Sequence, residues 1–562
     1  MKSIHLLKRL EKIKANFNQN ITLQKIELLN ALKTQNFSTP QQVQRFHDVL
    51  NFLYAFPDNY EIFRQTSHML ASFSKRTDLQ KFKNDLTNTG IAGTNIHFQF
   101  FWPMACWLAD QCPNSLSIIW DELEEPEKLT TILPLLLTIP EIGAMDELDL
   151  SPQEWVELLK NSRETDAAYI VNRLQKAFKN DREREVIHDD INMTYQLKAA
   201  HNTPNIANTK ITGKKVHYQK KAFDRQRPQL PTSLTTIKFT HKKINASDGI
   251  KFIDLARKTM LTHERDLDAF SYGNPADVRL ISFDDGHQLN CNSMVPDRRY
   301  LLHSTYGFLN TRNGMPVGYF QIINLYHNAE IAFNLFSPFR GGETSKYFIR
   351  NLAVAHQLFN VDTFILDPYQ LGHENKEGLL SGVWWFYYKL GFRPRDKKMH
   401  NLVKKEIKKI SSNPDYRTSL STLNTLASVN MYFDINDNYQ NHNNTGDIGF
   451  IPLGLNRRLS KAFSAEKEKE IDLCIQQALQ LTKCNSKKKL PPLQKASWVR
   501  WSPLINNISG IRYWPTSERR KVADIITAGG GHDELKYANL LNQHEKLKAG
   551  ILGFANRLEN TI

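Results

Sequence analysis

The chain has 562 residues, 41% of them hydrophobic and 23% charged, with a formal net charge of +15. Such a make-up suits a folded protein of roughly three or four domains and excludes a disordered or fibrous one. The longest apolar run, residues 132–140, contains a threonine and a proline and falls far short of the roughly 20 residues that span a bilayer, so no membrane partner is expected.

The N-terminus carries Lys2, Lys8 and Arg9 and breaks its apolar residues with charge, so it lacks the continuous core of a secretory signal and a cytoplasmic location is expected. The cysteines, Cys106, Cys112, Cys291, Cys474 and Cys484, are odd in number and form no CxxC pair, which argues against a disulfide framework. His287 and Cys291 lie four apart without a second pair, and no metal site is expected.

Residues 1–200 read as a helical domain. Ile4, Leu7, Leu10 and Ile13 recur at helical spacing, and Ile62, Met69, Leu70 and Phe73 mark a second face. Ser151, Pro152 and Glu154 open a helix: serine caps free amides, proline fits the first turn, and the glutamate reaches back. Residues 201–231 are polar and basic without an apolar period, and read as a linker.

Residues 232–400 change character and read as an α/β domain. A helix through Ile250, Ile253, Leu255 and Leu261 precedes β-type runs at 278–283, 300–310, 316–325 and 329–336. Asn313-Gly314 between the second and third runs predicts a tight hairpin turn with positive φ. Asp284 and Asp285 read as a turn, and His303 as a core histidine. FRGGETS at 339–345 then leads into a helix with Phe348, Leu352, Ala355 and Phe359 on one face, a strand at 363–366, and a helix ending in LGF.

A helix N-terminus offers unpaired amides and a partial positive charge, so a glycine loop feeding it can cradle a diphosphate. Gly341 and Gly342 let the backbone approach such a group, Thr344 and Ser345 open the helix, and Arg340 offers a bidentate donor. Glu343 in this loop would repel a phosphate if it pointed there, or cap the helix if it did not. Glu343, Glu330 and Glu374 are also candidates for a general base.

NLFSPFRGGETSKYFIRNL and FILDPYQLGHENKEGLLSGVWWFYYKLGFRP resemble the strand, loop and helix motifs of the GNAT family of N-acetyltransferases over about 170 residues. The family loop runs Arg, Gly, any, Gly, any, Gly or Ala. Arg340 and Gly341 match it; Glu343 replaces a glycine and Ser345 replaces the last small residue. The resemblance implies a mixed sheet whose strands part around acetyl-CoA or another acyl-CoA, used as co-substrate to acylate an unidentified amine on a small molecule or protein. By the YxKLGF spacing it assigns Tyr387, not Tyr388, as the acid that protonates the departing thiolate, and Asn375 as a contact of the pantetheine arm.

Residues 401–562 read as mainly helical, with an Asn-rich stretch near 436–444. A helix capped by Thr516 stops at Gly529, Gly530 and Gly531, an amphipathic helix pair follows to 554, and Trp498, Trp501 and Trp514 anchor a core. Basic clusters at Lys210, Lys214, Lys215, Lys220, Lys221, Arg225 and Arg227, at 393–409, and at Lys483, Lys487, Lys488 and Lys489 suit a nucleic-acid partner or a solvated surface. Two alternatives to the acyltransferase are a non-catalytic module binding protein or RNA and an aminoacyl-tRNA-dependent transferase.

Overall fold

The computed structural model describes residues 2–211, 215–224, 230–435, 450–463, 466–484 and 490–559. Lys214, Arg225, Arg227, Lys487, Lys488, Lys489 and the Asn-rich stretch 436–444 lie outside the described residues. The fold is mixed α/β, a large mixed sheet set among helices. In chain order the described strands are β1 (Ile96–Phe98), β2 (Leu116–Ile118), β3 (Tyr195–Leu197), β4 (Thr240–Lys243), β5 (Gly273–Ser282), β6 (His287–Met294), β7 (Ser304–Arg312), β8 (Met315–Leu325), β9 (Asn328–Leu335), β10 (Thr363–Leu366), β11 (Arg393–Pro394) and β12 (Met431–Asp434).

The nine-stranded sheet has the order β11-β12-β10-β9-β8-β7-β6-β5-β4. Its neighbours are antiparallel except β9 and β10, which are parallel and joined by the crossover helix Thr344–Phe359. Both faces of the sheet are covered, which explains why every residue of β7 is buried and why its sequence does not alternate. Successive residues point to opposite faces. Phe308 meets Phe359 of the crossover helix at 5.7 Å, whereas a Cβ on Gly307 would meet the Phe270 ring at 2.7 Å.

β12 comes from beyond residue 400, the expected end of the α/β segment, and β1, β2 and β3 form a small antiparallel sheet inside the segment expected to be helical. Each of these strands is too short to show a period. The expected Ser151 cap is present, with Ser151 donating its amide to Glu154 Oε2 at 2.8 Å and Glu154 donating to Ser151 Oγ at 3.3 Å. Thr516 is not a cap. It is the first residue of the helix Thr516–Gly529, and Pro515 occupies the cap position without a side-chain bond. Trp498 and Trp501 are buried in a C-terminal core that also takes in Leu302, Leu325 and Tyr326 from the sheet segment.

Where described, the basic stretch 201–231 is packed against the body. Ile211 donates to the Gly314 carbonyl at 3.1 Å and Gln219 to the Pro57 carbonyl at 2.8 Å. Phe223 is buried among Phe17, Phe52 and Phe56. Its apolar anchors are spaced too widely to give a period, which is why it reads as a linker.

Asn313 and Gly314 take φ of 50° and 78°, as the hairpin requires. A Cβ on Gly314 would lie 1.7 Å from the Ile211 carbonyl oxygen. Gly314→Ala therefore combines left-handed strain, about 1–3 kcal/mol by itself, with displacement of this strap. Chemical unfolding should show a loss at or above that range, and a variant as stable as the parent would contradict the packing described.

Candidate functional site

β9 leads through the turn Ser337–Phe339 into the glycine loop. Gly341 takes φ of 84°, and the crossover helix starts at Thr344. Gly341 donates its amide to Thr344 Oγ1 at 3.3 Å. Among the described residues no group accepts the amides of Gly342, Glu343, Thr344 or Ser345. They border a cavity of about 650 Å³, lined also by Lys346, Arg350, Asp224 and Phe386. Phe223 closes over the loop, and a Cβ on Gly342 would meet its ring at 3.0 Å.

Glu343 is buried rather than turned to solvent. Its Oε1 accepts from Lys346 Nζ at 2.7 Å, and its Oε2 has no partner. Lys346 also lies 2.7 Å from Asp285, which is 2.9 Å from Arg350 and 3.1 Å from Arg312. Burial would raise the Asp285 carboxyl, yet the charges of Arg350 and Arg312 outweigh it and hold it well below the usual carboxylate range. Asp285 is thus the hub of an ion cluster rather than only a turn residue. Three cations meet two carboxylates in this cluster, so the glutamate in the loop is countered. Of its members Glu343, Lys346 and Arg350 line the cavity, which Asp224 also borders.

A second cavity of about 660 Å³ shares Thr344 and Phe386 with the first. It forms because β9 and β10 pair only from Asn328 to Glu330 and then part. Tyr387 lines it, buried against Phe348, Phe386 and Phe392. The Tyr387 hydroxyl accepts from Gln370 Nε2 at 2.8 Å, and no described group takes its proton. Burial pushes this phenol well above its usual value, so it stays protonated and able to donate. Tyr388 lines neither cavity; it stacks on Trp384 at 5.3 Å beneath Arg393.

The candidates divide between the two spaces. Gly341, Gly342, Glu343 and Ser345 line the first, Arg340, Asn375 and Tyr387 the second, and Thr344 both. Glu343 and Tyr387 are therefore not brought to one cavity. Arg340 is held by the Leu335 carbonyl at 2.7 Å, by Asn334 at 3.1 Å and by Glu377, and it lines the second cavity rather than the loop side. Asn375 caps the helix Lys376–Ser381, accepting from Gly378 N at 3.0 Å. Glu330 and Glu374 line neither cavity. No metal cluster occurs among the described residues, and no described helix is long and apolar enough to cross a membrane. His287 is buried instead against Phe283 and Asn310.

No protein-family model, curated protein or solved structure matches the chain. The site thus rests on its own geometry, which adds two residues that sequence reasoning missed. Asp266 lines the second cavity with Tyr387, accepting from Phe101 N at 3.1 Å and from the Ser271 hydroxyl, and burial pushes its carboxyl up to about 6. Gln370 bridges the parted strands. Asp266 sits in no motif, and Gln370, although inside the stretch that resembles the family, is not marked by it; each acquires its role from elements distant in sequence.

Proposed function

We propose that the protein is an acyl-CoA-dependent N-acyltransferase of GNAT type, acting on an amine. The observation that carries this reading is the row of unclaimed amides from Gly342 to Ser345 at a helix N-terminus, beside a cavity that shares walls with the gap between the parted strands. Such amides suit the diphosphate of coenzyme A. The acyl end would lie in the second cavity, where Tyr387 supplies a proton to the leaving thiolate and the Asp266 carboxylate receives the proton lost by the attacking amine. Glu343 is then a loop residue balanced by Lys346, not the base.

Titration of the full chain with coenzyme A tests this. Binding should fall with rising salt, because the contacts are charged. Glu343→Gln should tighten it several-fold by removing a buried carboxylate from beside the diphosphate, and Lys346→Ala should weaken it by leaving that carboxylate uncompensated. Absence of coenzyme A binding at low ionic strength would reject the acyltransferase.

A further inference from the structure

The gap between β9 and β10 is bridged by a side chain. After Leu366 the chain leaves the sheet for the short helix Pro368–Leu371, so Phe333 of β9 has no strand partner on that side. Its amide donates to Gln370 Oε1 at 3.2 Å, and its carbonyl accepts from Gln370 Nε2 at 3.0 Å. A carboxamide offers an acceptor and a donor side by side, as the peptide groups of a neighbouring strand do. Its orientation is fixed, because a flip would set Nε2 against the Phe333 N–H and Oε1 against the Phe333 carbonyl. The other hydrogen of Nε2 goes to Tyr387 Oη at 2.8 Å. The backbone amide of Gln370 is itself held by Asp367 Oδ1 at 2.9 Å. Both hydrogens of this carboxamide are used, and Gln370 and the two residues it contacts, Phe333 and Tyr387, all line the second cavity.

We propose that the Gln370 carboxamide is a resident stand-in for ligand amides: an extended ligand carrying two successive secondary amides takes over both Phe333 hydrogen bonds, one through the carbonyl of one amide and the other through the N–H of its neighbour, swings Gln370 out of the gap, and so frees the Tyr387 oxygen only in a loaded site. The inference rests on the acyl-CoA reading, since the pantetheine arm of such a thioester carries secondary amides. It goes beyond that reading in making the empty site self-occupied and its tyrosine engaged until the arm is seated. The exchange conserves hydrogen bonds to Phe333, so the ligand has only to outcompete a tethered side chain.

The test is a calorimetric titration of the full chain, as wild type, Gln370→Ala and Gln370→Asn, with pantetheine and in parallel with coenzyme A. Both variants should bind pantetheine roughly tenfold more tightly than wild type, equivalent to about 1.4 kcal/mol, because nothing has to be displaced. Asparagine is one methylene too short to bridge and keeps the polarity, so it serves if alanine perturbs folding. Backbone hydrogen exchange gives a second readout: the Phe333 amide should exchange slowly in wild type, quickly in ligand-free Gln370→Ala, and slowly again with pantetheine. Equal or weaker pantetheine binding by the folded variants, or a Phe333 amide that stays slow in ligand-free Gln370→Ala, would overturn the inference. If coenzyme A binds wild type while pantetheine shows no gain, the self-occupied gap falls and the acyltransferase stands. If neither ligand binds any of the proteins, both fall.

Discussion

Tyr387→Phe is expected to leave the fold and the affinity for coenzyme A in place while lowering acyl transfer about 10²- to 10⁴-fold, the usual contribution of a positioned proton donor. Only the hydroxyl is lost, and the ring keeps its packing on Phe348 at 5.4 Å and Phe392 at 5.9 Å. Attack of an amine on a thioester ends in expulsion of a thiolate, and a phenol held protonated by burial can supply its proton. Tyr388→Phe should be nearly silent, since that ring stacks on Trp384 away from both cavities. The pH profile carries a second signature. Asp266, with its carboxyl pushed up to about 6, must be ionised to accept a proton, so kcat/KM should fall as pH drops below that value. Asp266→Asn should lower the rate at every pH and abolish the limb. Full activity in Tyr387→Phe, measured as thiol release with an amine acceptor, would remove the tyrosine from the mechanism; a loss confined to Tyr388→Phe would move the acid by one residue.

How much of this was legible depends on whether a residue's neighbours are close in sequence. The β7–β8 hairpin is visible because Asn313-Gly314 encodes its own backbone geometry, and the crossover helix because Phe348, Leu352, Ala355 and Phe359 repeat at its period. Tyr387 lines the second cavity and Tyr388 lines neither, since residues one apart on a helix point in different directions. β6 is not visible because Asn290, Asn292 and Ser293 are buried in it, and a strand buried with polar side chains looks like a loop. Partners explain the burial of two of them: Asn292 donates to the Ala269 and Ser293 carbonyls, and Ser293 Oγ to Asp277 Oδ2 at 2.6 Å, whereas Asn290 Oδ1 has no partner among the described residues. The neutralisation of Glu343 was half legible. Lys346 stands three residues on, within reach on the same helix, but the remaining charges of that cluster come from β7, from the turn before β6 and from farther along the helix. Asp266 had no signal at all, and nothing in the family-like stretch that contains Gln370 marks its side chain.

The largest stability effect is expected where the C-terminal helices meet the sheet. Arg299 and Glu534 are both buried, with Arg299 Nε 3.0 Å from Glu534 Oε2. Arg299 also donates to the carbonyls of Gly531 at 2.6 Å and His532 at 3.2 Å, while Glu534 accepts from Thr305 N at 3.2 Å and donates its own amide to Asp277 Oδ2 at 3.0 Å. The glycine turn at 529–531 thus brings its carbonyls to a guanidinium and the first residue of the next helix to the sheet. Above pH 7, where Glu534 is ionised, Glu534→Ala leaves a buried cation without its anion, which typically costs about 3–5 kcal/mol. Glu534→Gln keeps the shape and removes only the charge, so it should cost less. The two also separate by pH. Burial, opposed by Arg299, pushes the Glu534 carboxyl up to about 7 from its ordinary 4.5. A carboxyl whose folded value is raised binds its proton more tightly in the folded state, so its contribution is fully present below 4.5 and is lost as pH rises through about 7. Denaturant unfolding of Glu534→Gln between those values should therefore have a flatter pH dependence than wild type. A wild-type slope retained in Glu534→Gln would assign the pH dependence to another group, and an alanine variant as stable as the glutamine one would show that the pair does not hold the C-terminal helices to the sheet.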